Sequence, residues 1–333
     1  MKSPTLKKLR DVSELDAWRA KLQAAAGATG ADAAPRQILI CFGGSCLASG
    51  AKEVRDALAA VLKREGLAEQ VALVGTGCMG PCVIGPVLMI TEDRTFYQGV
   101  KPEDAEEIVT EHLKAGRRVE RLLVSDPSGQ TPAPCRESIE FFKRQTQIVL
   151  RNCGWVDPGR IEDTIARDGY AALAKILSGM KPDEVIAEMK ASGLRGRGGA
   201  GFPTWLKWHL ATQTPEGERY VLCNADEGDP GAYMDRSVLE GDPHSVIEGM
   251  AIAAYAIGAR QGYVYVRAEY PLAVERLTAA IEQAHACGLL GEKILGSTFS
   301  FDLEIRMGSG AFVCGEETAL IASIEGRRGE PRP

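Results

Sequence analysis

The sequence has no apolar run long enough to cross a bilayer and no apolar stretch near its start. Its longest apolar run, Met250 to Ala259, is rich in alanine and far shorter than the ~20 residues that a membrane-spanning helix needs. The first residues, from Met1 to Arg10, lack the apolar core of a secretory signal peptide. Both absences predict a cytoplasmic protein with no direct membrane insertion.

Positive charge and histidine are also scarce. The 39 Lys and Arg residues are outnumbered by 45 Asp and Glu residues, which gives a net charge of −6 with the cations dispersed along the chain. This composition argues against nucleic acid as a partner. The sequence forms no recognisable nucleophile motif around its histidines, so we expect no catalytic side chain of the hydrolase type. These histidines are His112, His209, His244 and His285.

The 333 residues, 45% of them hydrophobic, are enough for two domains with separate cores. Residues 1–35 are predicted to form an N-terminal arm with an amphipathic helix through Leu15, Trp18 and Leu22. Residues 36–124 are predicted to form a first domain with the element order βαβββα. Its predicted strands are 37–40, 71–74, 87–91 and 95–97, and its predicted helices are 51–64 and a segment from Pro102.

Nine cysteines in a chain without a secretion signal favour metal ligation or buried thiols over a disulfide framework. Two pairs follow the first two strands of the first domain. Cys41 and Cys46 have C-x4-C spacing, and Cys78 and Cys82 have C-x3-C spacing, each with glycines alongside. Strand ends fix ligand positions, and neighbouring glycines let backbone N–H groups reach sulfur. We therefore predict that these four cysteines are metal ligands.

Three alternatives stay open for the paired cysteines. A zinc site with four thiolates usually has tighter C-x2-C knuckles, and a redox disulfide usually has C-x-x-C at a helix start. Simple burial of four thiols is the third, although matched pairs beside glycines do not favour it. The other cysteines are predicted to be small buried hydrophobes: Cys135, Cys153, Cys223, Cys287 and Cys314.

The pattern of the first domain resembles thioredoxin-like [2Fe–2S] ferredoxins and the small subunit of the NADH-dehydrogenase module. The resemblance covers roughly residues 36–124. It implies that Cys41, Cys46, Cys78 and Cys82 hold a [2Fe–2S] cluster.

A run with three prolines, residues 125–134, is predicted to link this domain to a second one that covers residues 135–333. Strands and helices alternate in the second domain, which predicts an α/β fold. Its acidic loops follow strands, where open α/β sheets bind ligands. The predicted strands are 219–223, 262–267 and 301–307, and the predicted helices include 244–257 and 271–287.

A glycine-rich loop, Ser192 to Thr204, has five glycines between Gly193 and Gly201 together with Arg195 and Arg197. Glycine lets backbone N–H groups turn toward a ligand, and arginine binds phosphate, so the loop predicts a nucleotide site. It follows a predicted helix, unlike the glycines of Rossmann and P-loop motifs, which follow a strand. A flexible connection is the alternative reading of the loop taken alone.

The loop and two later segments together resemble the flavoprotein subunit of the NADH-dehydrogenase module. The segments are Gly196–Thr204 with Lys207 and Trp208, Asn224–Glu227, and Cys314–Thr318. The resemblance implies FMN and NAD(H) as cofactors, with hydride passing between them and single electrons passing to iron–sulfur clusters. The implied cofactor-binding residues are Gly196, Arg197, Gly198, Gly199, Phe202, Lys207, Asn224, Asp226, Glu227, Asp229, Gly315, Glu316 and Glu317.

Three positions depart from the family pattern. Trp205 stands where the family usually has glycine, Asp229 where glutamate is common, and Phe312 where tyrosine is common. A tryptophan at this point either packs behind the loop or narrows the nucleotide entrance. Trp205 motivates an alternative function, in which the chain is a non-catalytic electron-transfer or assembly subunit that keeps the fold and binds no nucleotide.

The fold predicted for the whole sequence is a thioredoxin-like [2Fe–2S] domain followed by a Rossmann-like FMN-binding α/β domain truncated at its C-terminal side. The resemblance implies a longer family chain whose [4Fe–4S] cluster belongs to the part missing here. The fused order favours a diaphorase subunit of a hydrogenase, formate dehydrogenase or electron-bifurcating complex. The implied partners are other iron–sulfur subunits of such a complex.

Overall fold

The computed structural model describes residues 6–27, 36–125, 132–214, 217–229 and 231–332. The helices are α1 (Val12–Gly27), α2 (Gly44–Ala48), α3 (Ala51–Arg64), α4 (Ala105–Glu107), α5 (Glu140–Lys143), α6 (Ile161–Ala166), α7 (Ala171–Leu177), α8 (Pro182–Ser192), α9 (Thr204–Thr212), α10 (Met234–Gly241), α11 (Pro243–Ile257), α12 (Pro271–Cys287) and α13 (Glu317–Ile324). The strands are β1 (Arg36–Cys41), β2 (Val71–Thr76), β3 (Leu88–Ile90), β4 (Thr95–Tyr97), β5 (Val124–Ser125), β6 (Pro132–Ala133), β7 (Tyr220–Ala225), β8 (Gln261–Arg267) and β9 (Asp302–Gly308).

The chain divides into two compact units. The cysteine-pair unit comprises Ala24–Pro158 and Glu240–Asp242. The glycine-loop unit comprises Met1–Gln23, Gly159–Leu239 and Pro243–Pro333.

The cysteine-pair unit has a four-stranded sheet in the order β2-β1-β3-β4. Strands β1 and β2 are parallel, while β3 pairs antiparallel with both β1 and β4. Helix α3 buries Val54, Leu58 and Leu62 in the core, as its apolar spacing predicts. The last predicted helix starts as a 3₁₀ turn at Pro102–Asp104 and continues through α4 into a π-helical segment, Ile108–Lys114. The predicted βαβββα order is confirmed.

The cysteine-pair unit extends well beyond residue 124. Residues 126–131 of the predicted linker lie outside the described residues, and the strands on either side of them, β5 and β6, pair antiparallel. The buried guanidinium of Arg136 lies 4.4 Å from the Phe142 ring centroid and 4.7 Å from that of Trp155. This stacking holds residues 136–155 together within the unit. The units therefore divide the chain differently from the predicted domains.

The glycine-loop unit contains a parallel sheet in the order β7-β8-β9. Its core includes Ile247 and Ala251 of α11, Val264 of β8 and Leu277 of α12. Parallel strands need helical crossovers, and α11 and α12 occupy the two connections. The predicted α/β class is confirmed, and the carboxyl ends of all three strands meet at one edge of the sheet.

Helix α1 packs within the glycine-loop unit. Leu15 is fully buried, the Leu9 N–H donates to the Cys287 carbonyl at 2.9 Å, and Arg19 donates to the Gly169 carbonyl at 3.3 Å. The helix predicted at this end of the chain is present. Its contacts hold it against the glycine-loop unit, which the prediction of an N-terminal arm did not include. Residues 28–35 of the predicted arm lie outside the described residues.

Candidate functional site

The structure brings the two cysteine pairs together in the cysteine-pair unit. Cys41 ends β1, Cys46 lies in α2, Cys78 follows β2, and Cys82 begins a 3₁₀ turn. Cys41 and Cys46 are buried, whereas Cys82 is exposed. Cys41 is hydrogen-bonded to both Cys46 and Cys78, and Cys78 is also hydrogen-bonded to Cys82. All four cysteines are free thiols. The thiols thus form a continuous chain of contacts.

Hydrogen bonds and burial set the protonation of these thiols. The bond with Cys46 raises the pKa of Cys41 to about 11, and the same bond lowers the pKa of Cys46. The bond with Cys41, together with burial, raises the pKa of Cys78, and burial raises the pKa of Cys82. Binding of a metal to these thiols would therefore displace protons.

The surroundings of the thiols fit a group bound through sulfur. A Cβ at Gly43 would lie 2.9 Å from Cys78 Cβ, and a Cβ at Gly85 would lie 2.8 Å from Cys46 Sγ, so only glycine fits beside these cysteines without displacing their atoms. The Met79 N–H donates to Cys41 Sγ at 3.4 Å, which is the kind of backbone contact that the sulfurs of an iron–sulfur site receive. Across the described part of the chain, no group of three or more His, Cys, Asp or Glu side chains is arranged to hold one metal ion. Four cysteine thiols are nevertheless the set of ligands that a [2Fe–2S] cluster takes.

The glycine-rich loop connects α8 to α9, and its two ends are hydrogen-bonded to each other. Arg195 and Pro203 form an antiparallel bridge, and the Gly196 N–H donates to the Phe202 carbonyl at 2.8 Å. The Arg195 guanidinium donates to the Gly201 carbonyl at 3.0 Å across the loop. Arg195 therefore stabilises the loop conformation. Arg197 and Gly199 are exposed in the same loop.

A cavity of about 600 Å³ lies beside this loop, within the usual range for small-molecule sites. Three segments form its walls: the glycine loop with α9, the end of β7, and the loop between β9 and α13. Its lining residues are Gly196, Gly198, Ala200, Gly201, Phe202, Lys207, Leu210, Asn224, Gly315, Glu316 and Glu317.

The charged residues of the cavity have defined partners. Lys207 Nζ lies 3.3 Å from Glu317 Oε2, and both side chains are mostly exposed. Glu316 caps α13, because its carboxylate accepts hydrogen bonds from the Thr318 N–H at 3.0 Å and the Ala319 N–H at 2.9 Å. The Thr318 hydroxyl and these amides lower the pKa of Glu316. The pair of adjacent glutamates thus divides into a helix cap and a partner for lysine.

The predicted site residues at the end of β7 and in the loop after it occupy different surroundings in the structure. Asn224 lines the cavity and donates to the Gly315 carbonyl at 2.8 Å. Asp226 is buried, and burial raises its pKa; within the described residues its Oδ2 has no hydrogen-bond partner. Glu227 accepts hydrogen bonds from the Asp235 and Arg236 N–H groups, so it caps α10, and Asp229 is exposed. Asp226, Glu227 and Asp229 do not line the cavity.

Trp205 packs behind the glycine loop. Its ring contacts the cluster formed by Val185, Ile186 and Ala256, with Lys190 Nζ 4.4 Å above it. It is absent from the residues that line the cavity, so the tryptophan does not narrow that space.

Sequence reasoning missed Ala200, Gly201 and Leu210 as lining residues. The first two belong to the same glycine string. Leu210 follows Lys207 by three residues in α9, which places both on one helix face and could have identified it. Phe312 is 74% exposed beside Gly228 and lies outside the lining set.

No helix in the described ranges combines the length and apolar character needed to cross a membrane.

Comparison with known proteins identifies two family domains and longer relatives. Residues 30–113 match the thioredoxin-like [2Fe-2S] ferredoxin model, and residues 189–333 match the Nuo51 FMN-binding domain model. The chain is 62% identical over 189 residues to the HndC component of the NADP-reducing hydrogenase of Solidesulfovibrio fructosivorans, which covers 57% of this chain and 38% of that protein. It is 52% identical over 172 residues to a component of the NADH-quinone oxidoreductase of Aquifex aeolicus (strain VF5), covering 52% of this chain and 40% of that protein.

Among solved structures, the NAD+-reducing [NiFe]-hydrogenase in the H2-reduced state is 26% identical. The match covers 97% of this chain and 53% of that chain, with a TM-score of 0.45. The chain spans less than half the length of the curated relatives named above. Residues 30–113 of this chain therefore belong to the thioredoxin-like [2Fe–2S] ferredoxin family, and residues 189–333 belong to the family of the Nuo51 FMN-binding domain.

Proposed function

We propose that this chain is the diaphorase part of a larger redox complex. In this role it binds FMN and NAD(H) at the glycine-loop cavity and a [2Fe–2S] cluster at the four paired cysteines. The observation that carries the proposal is the cavity itself, where the glycine loop, the end of β7 and the loop before α13 meet at the carboxyl edge of a parallel sheet. FMN, when bound, exchanges hydride with NAD(H) and electrons singly with iron–sulfur centres.

The residues around the cavity serve binding and orientation in this proposal. The loop glycines let a flavin phosphate approach backbone N–H groups, and Lys207 supplies a cation for it. Asn224, fixed by its bond to the Gly315 carbonyl, presents its amide to ribityl hydroxyls. Phe202, which is 42% exposed, offers a ring for stacking against the nicotinamide nucleotide.

The cysteine-pair unit would carry electrons between the flavin and partner proteins. We propose that these partners are iron–sulfur subunits of a hydrogenase, formate dehydrogenase or related complex in the cytoplasm. Support comes from the relatives, one named as a component of an NADP-reducing hydrogenase and one as a component of an NADH-quinone oxidoreductase.

The alternative of a non-catalytic subunit without nucleotide binding rested on Trp205. Since this ring packs against α8 and α11 behind the loop, it gives no steric reason for a closed cavity. We therefore favour the diaphorase.

Flavin and iron analysis of the purified full-length protein, with an NADH:viologen assay, tests the proposal. We expect bound FMN, a two-iron cluster and NADH-dependent viologen reduction. Lys207→Gln should weaken FMN binding, whereas Lys175→Gln should not; both lysine side chains are 64% exposed and ion-paired, but Lys175 lies on α7 outside the cavity. Protein that retains its fold but binds no flavin and reduces no viologen would support the non-catalytic alternative.

A further inference from the structure

A short segment outside both family-matched ranges packs against the loop that carries Cys78. We call residues 152–156 the strap and residues 76–79 the ligand loop; both belong to the cysteine-pair unit. The thioredoxin-like ferredoxin match ends at residue 113, and the FMN-domain match begins at residue 189. The strap is therefore a feature that neither family model covers.

Thr76 connects the strap to the ligand loop through a buried hydroxyl. Its Oγ1 donates to the Val156 carbonyl at 2.8 Å and accepts from the Gly154 N–H at 3.1 Å. Thr76 is 0% exposed, so both hydrogen bonds are shielded from water. Leaving either buried backbone group unpaired would be costly, which makes the hydroxyl a specific requirement of this contact.

Close backbone packing continues the contact at Gly77, the residue before Cys78. A Cβ at Gly77 would lie 2.4 Å from Gly241 Cα and 3.5 Å from Cys153 Sγ. On the other side of the loop, a Cβ at Gly154 would meet Met79 Cγ at 3.0 Å. The strap thus contacts the residues on both sides of Cys78.

The ligand loop in turn reaches a second cysteine, because the Met79 N–H donates to Cys41 Sγ. Hydrogen bonds to the sulfurs are among the factors that set the potential of an iron–sulfur cluster. A shift of the loop would therefore change both the position of the Cys78 sulfur and the bond to Cys41.

We propose that the strap is a positioning element for the cluster, with Thr76 as its key positioning residue. The inference rests on the proposed function, since it assumes that the four cysteines hold two irons. The strap fixes the ligand loop so that Cys78 and the Met79 N–H keep their places around the cluster.

The test compares Thr76→Val with Thr76→Ser in full-length protein loaded anaerobically with ferrous iron and sulfide. Valine keeps the shape of the side chain but removes the hydroxyl, whereas serine keeps the hydroxyl. We expect Thr76→Val to release iron to a chelator at least on the order of tenfold faster, because both buried hydrogen bonds of the hydroxyl are lost. Its midpoint potential should become more negative, because a weakened N–H···S bond leaves more charge on sulfur. Thr76→Ser should match the wild type in both measurements.

Two further variants separate positioning from general stability. Leu58→Ala removes a fully buried core side chain from α3 in the same unit, so it should lower stability without moving the potential or the paramagnetic spectrum. Cys153→Ala loosens the strap by removing the sulfur near Gly77 and Gly241, and it should shift the potential in the same direction as Thr76→Val even if that variant folds poorly.

Potentials and spectra that are identical in wild type, Thr76→Val and Cys153→Ala would overturn the inference alone. A wild type that takes up no two-iron cluster would overturn the proposed function as well.

Discussion

The glycines beside the paired cysteines and the glycines of the Gly193–Gly201 loop differ in what surrounds them. At Gly43 and Gly85 a Cβ would press against cysteine atoms at 2.9 and 2.8 Å. At Gly198, Gly199 and Gly201 a Cβ would meet nothing within 4 Å. At the two positions beside the cysteines the protein's own atoms fill the space that glycine leaves, whereas at the three loop positions that space stays open.

This difference separates two ways of building a binding site. Close packing around the thiols fixes the positions of the proposed ligands before a metal binds, which would reduce the cost of ordering them. An open loop supplies room and backbone N–H groups for a ligand. Substitutions that act on one site should therefore leave the other unchanged.

The largest effect should come from Cys78→Ser. A neutral hydroxyl is a poor substitute for thiolate on iron, so we expect complete loss of the [2Fe–2S] signal. FMN content should stay the same, because the glycine-loop cavity lies in the other unit. Paramagnetic resonance of the reduced protein and flavin analysis of the same sample measure both. An unchanged two-iron spectrum would refute the ligand assignment, and joint loss of flavin would show that the sites are not independent.

Gly43→Ala tests the packed site. The backbone at Gly43 has φ of −62° and ψ of 152°, which alanine also adopts, so the effect isolates the clash with Cys78. We expect a loss of about 1–3 kcal/mol in unfolding free energy, typical of overpacking, together with lower iron content. Gly249→Ala in α11 is the matched control, since a Cβ there meets nothing within 4 Å. Equal stability and iron content in the two variants would contradict the packing argument.

The two units should also differ in how their stability depends on pH, because each unit buries a hydrogen-bonded Tyr–His pair. Tyr170 bonds His244 Nδ1 at 2.8 Å, and burial lowers the pKa of His244 to about 4. Tyr97 bonds His112 Nδ1 at 2.8 Å, but Asp93 lies 3.4 Å from His112 Nε2 and offsets part of the burial that lowers its pKa. His112 therefore has a carboxylate that can stabilise its charged form.

The unfolded chain protonates histidine near its ordinary pKa of about 6.5, well above the folded value for His244. Protonation of His244 therefore has no effect on stability above about pH 6.5, and stability falls as the pH drops from about 6.5 to 4. At 1.36 kcal/mol per pKa unit the loss is about 3 kcal/mol. Urea unfolding across this pH range should show a flatter dependence in His244→Asn than in the wild type, whereas His112→Asn should change the slope less. Parallel curves for His244→Asn and wild type would contradict this.

Gly198→Ala should have the opposite pattern to Gly43→Ala. A methyl group fits at Gly198 without a clash, so the melting temperature should not change. It would occupy space that the proposed FMN needs, and we expect flavin affinity to fall on the order of tenfold. Flavin fluorescence titration measures the affinity. A stable variant with unchanged affinity would place the flavin elsewhere.

The smallest expected effect concerns the choice of nucleotide. A carboxylate near the ribose repels the 2′-phosphate of NADPH, so the enzyme should prefer NADH. Because Glu316 caps α13, we expect Glu316→Gln mainly to lower stability, and Glu317→Gln to raise NADPH use by up to about tenfold. The ratio of kcat/KM for NADH to kcat/KM for NADPH, measured in the wild type and in both variants, shows which glutamate affects the choice of nucleotide. A ratio unchanged in Glu317→Gln, or a wild type that prefers NADPH, would remove Glu317 from specificity.

Periodicity alone located most of the secondary structure. The helix predicted at 51–64 is α3, and the predicted strands 219–223, 262–267 and 301–307 correspond to β7, β8 and β9. These elements follow local apolar patterns, which a sequence displays directly. The residues of the glycine loop could be named from the sequence because they form one contiguous motif.

Contacts between residues far apart in the sequence could not be predicted from it. Nothing local to Thr76 indicates a bond to Val156, 80 residues later. Glu227 has the same acidic character as its neighbours, and only the position of α10 turns it into a helix cap. The compact units depend on such long-range contacts, which is why their limits differ from boundaries based on the proline-rich run.

The anchoring of α1 has a consequence for synthesis of the chain. Met1–Gln23 belong to a unit whose other segments start at Gly159, so the whole cysteine-pair sequence up to Pro158 is translated between them. Leu9 pairs with Cys287, a contact whose long sequence separation carries a loop-closure cost. Most of the cysteine-pair unit, all except Glu240–Asp242, is therefore synthesised while the apolar face of α1 is still uncovered. A chaperone that acts on nascent chains would therefore find this face exposed.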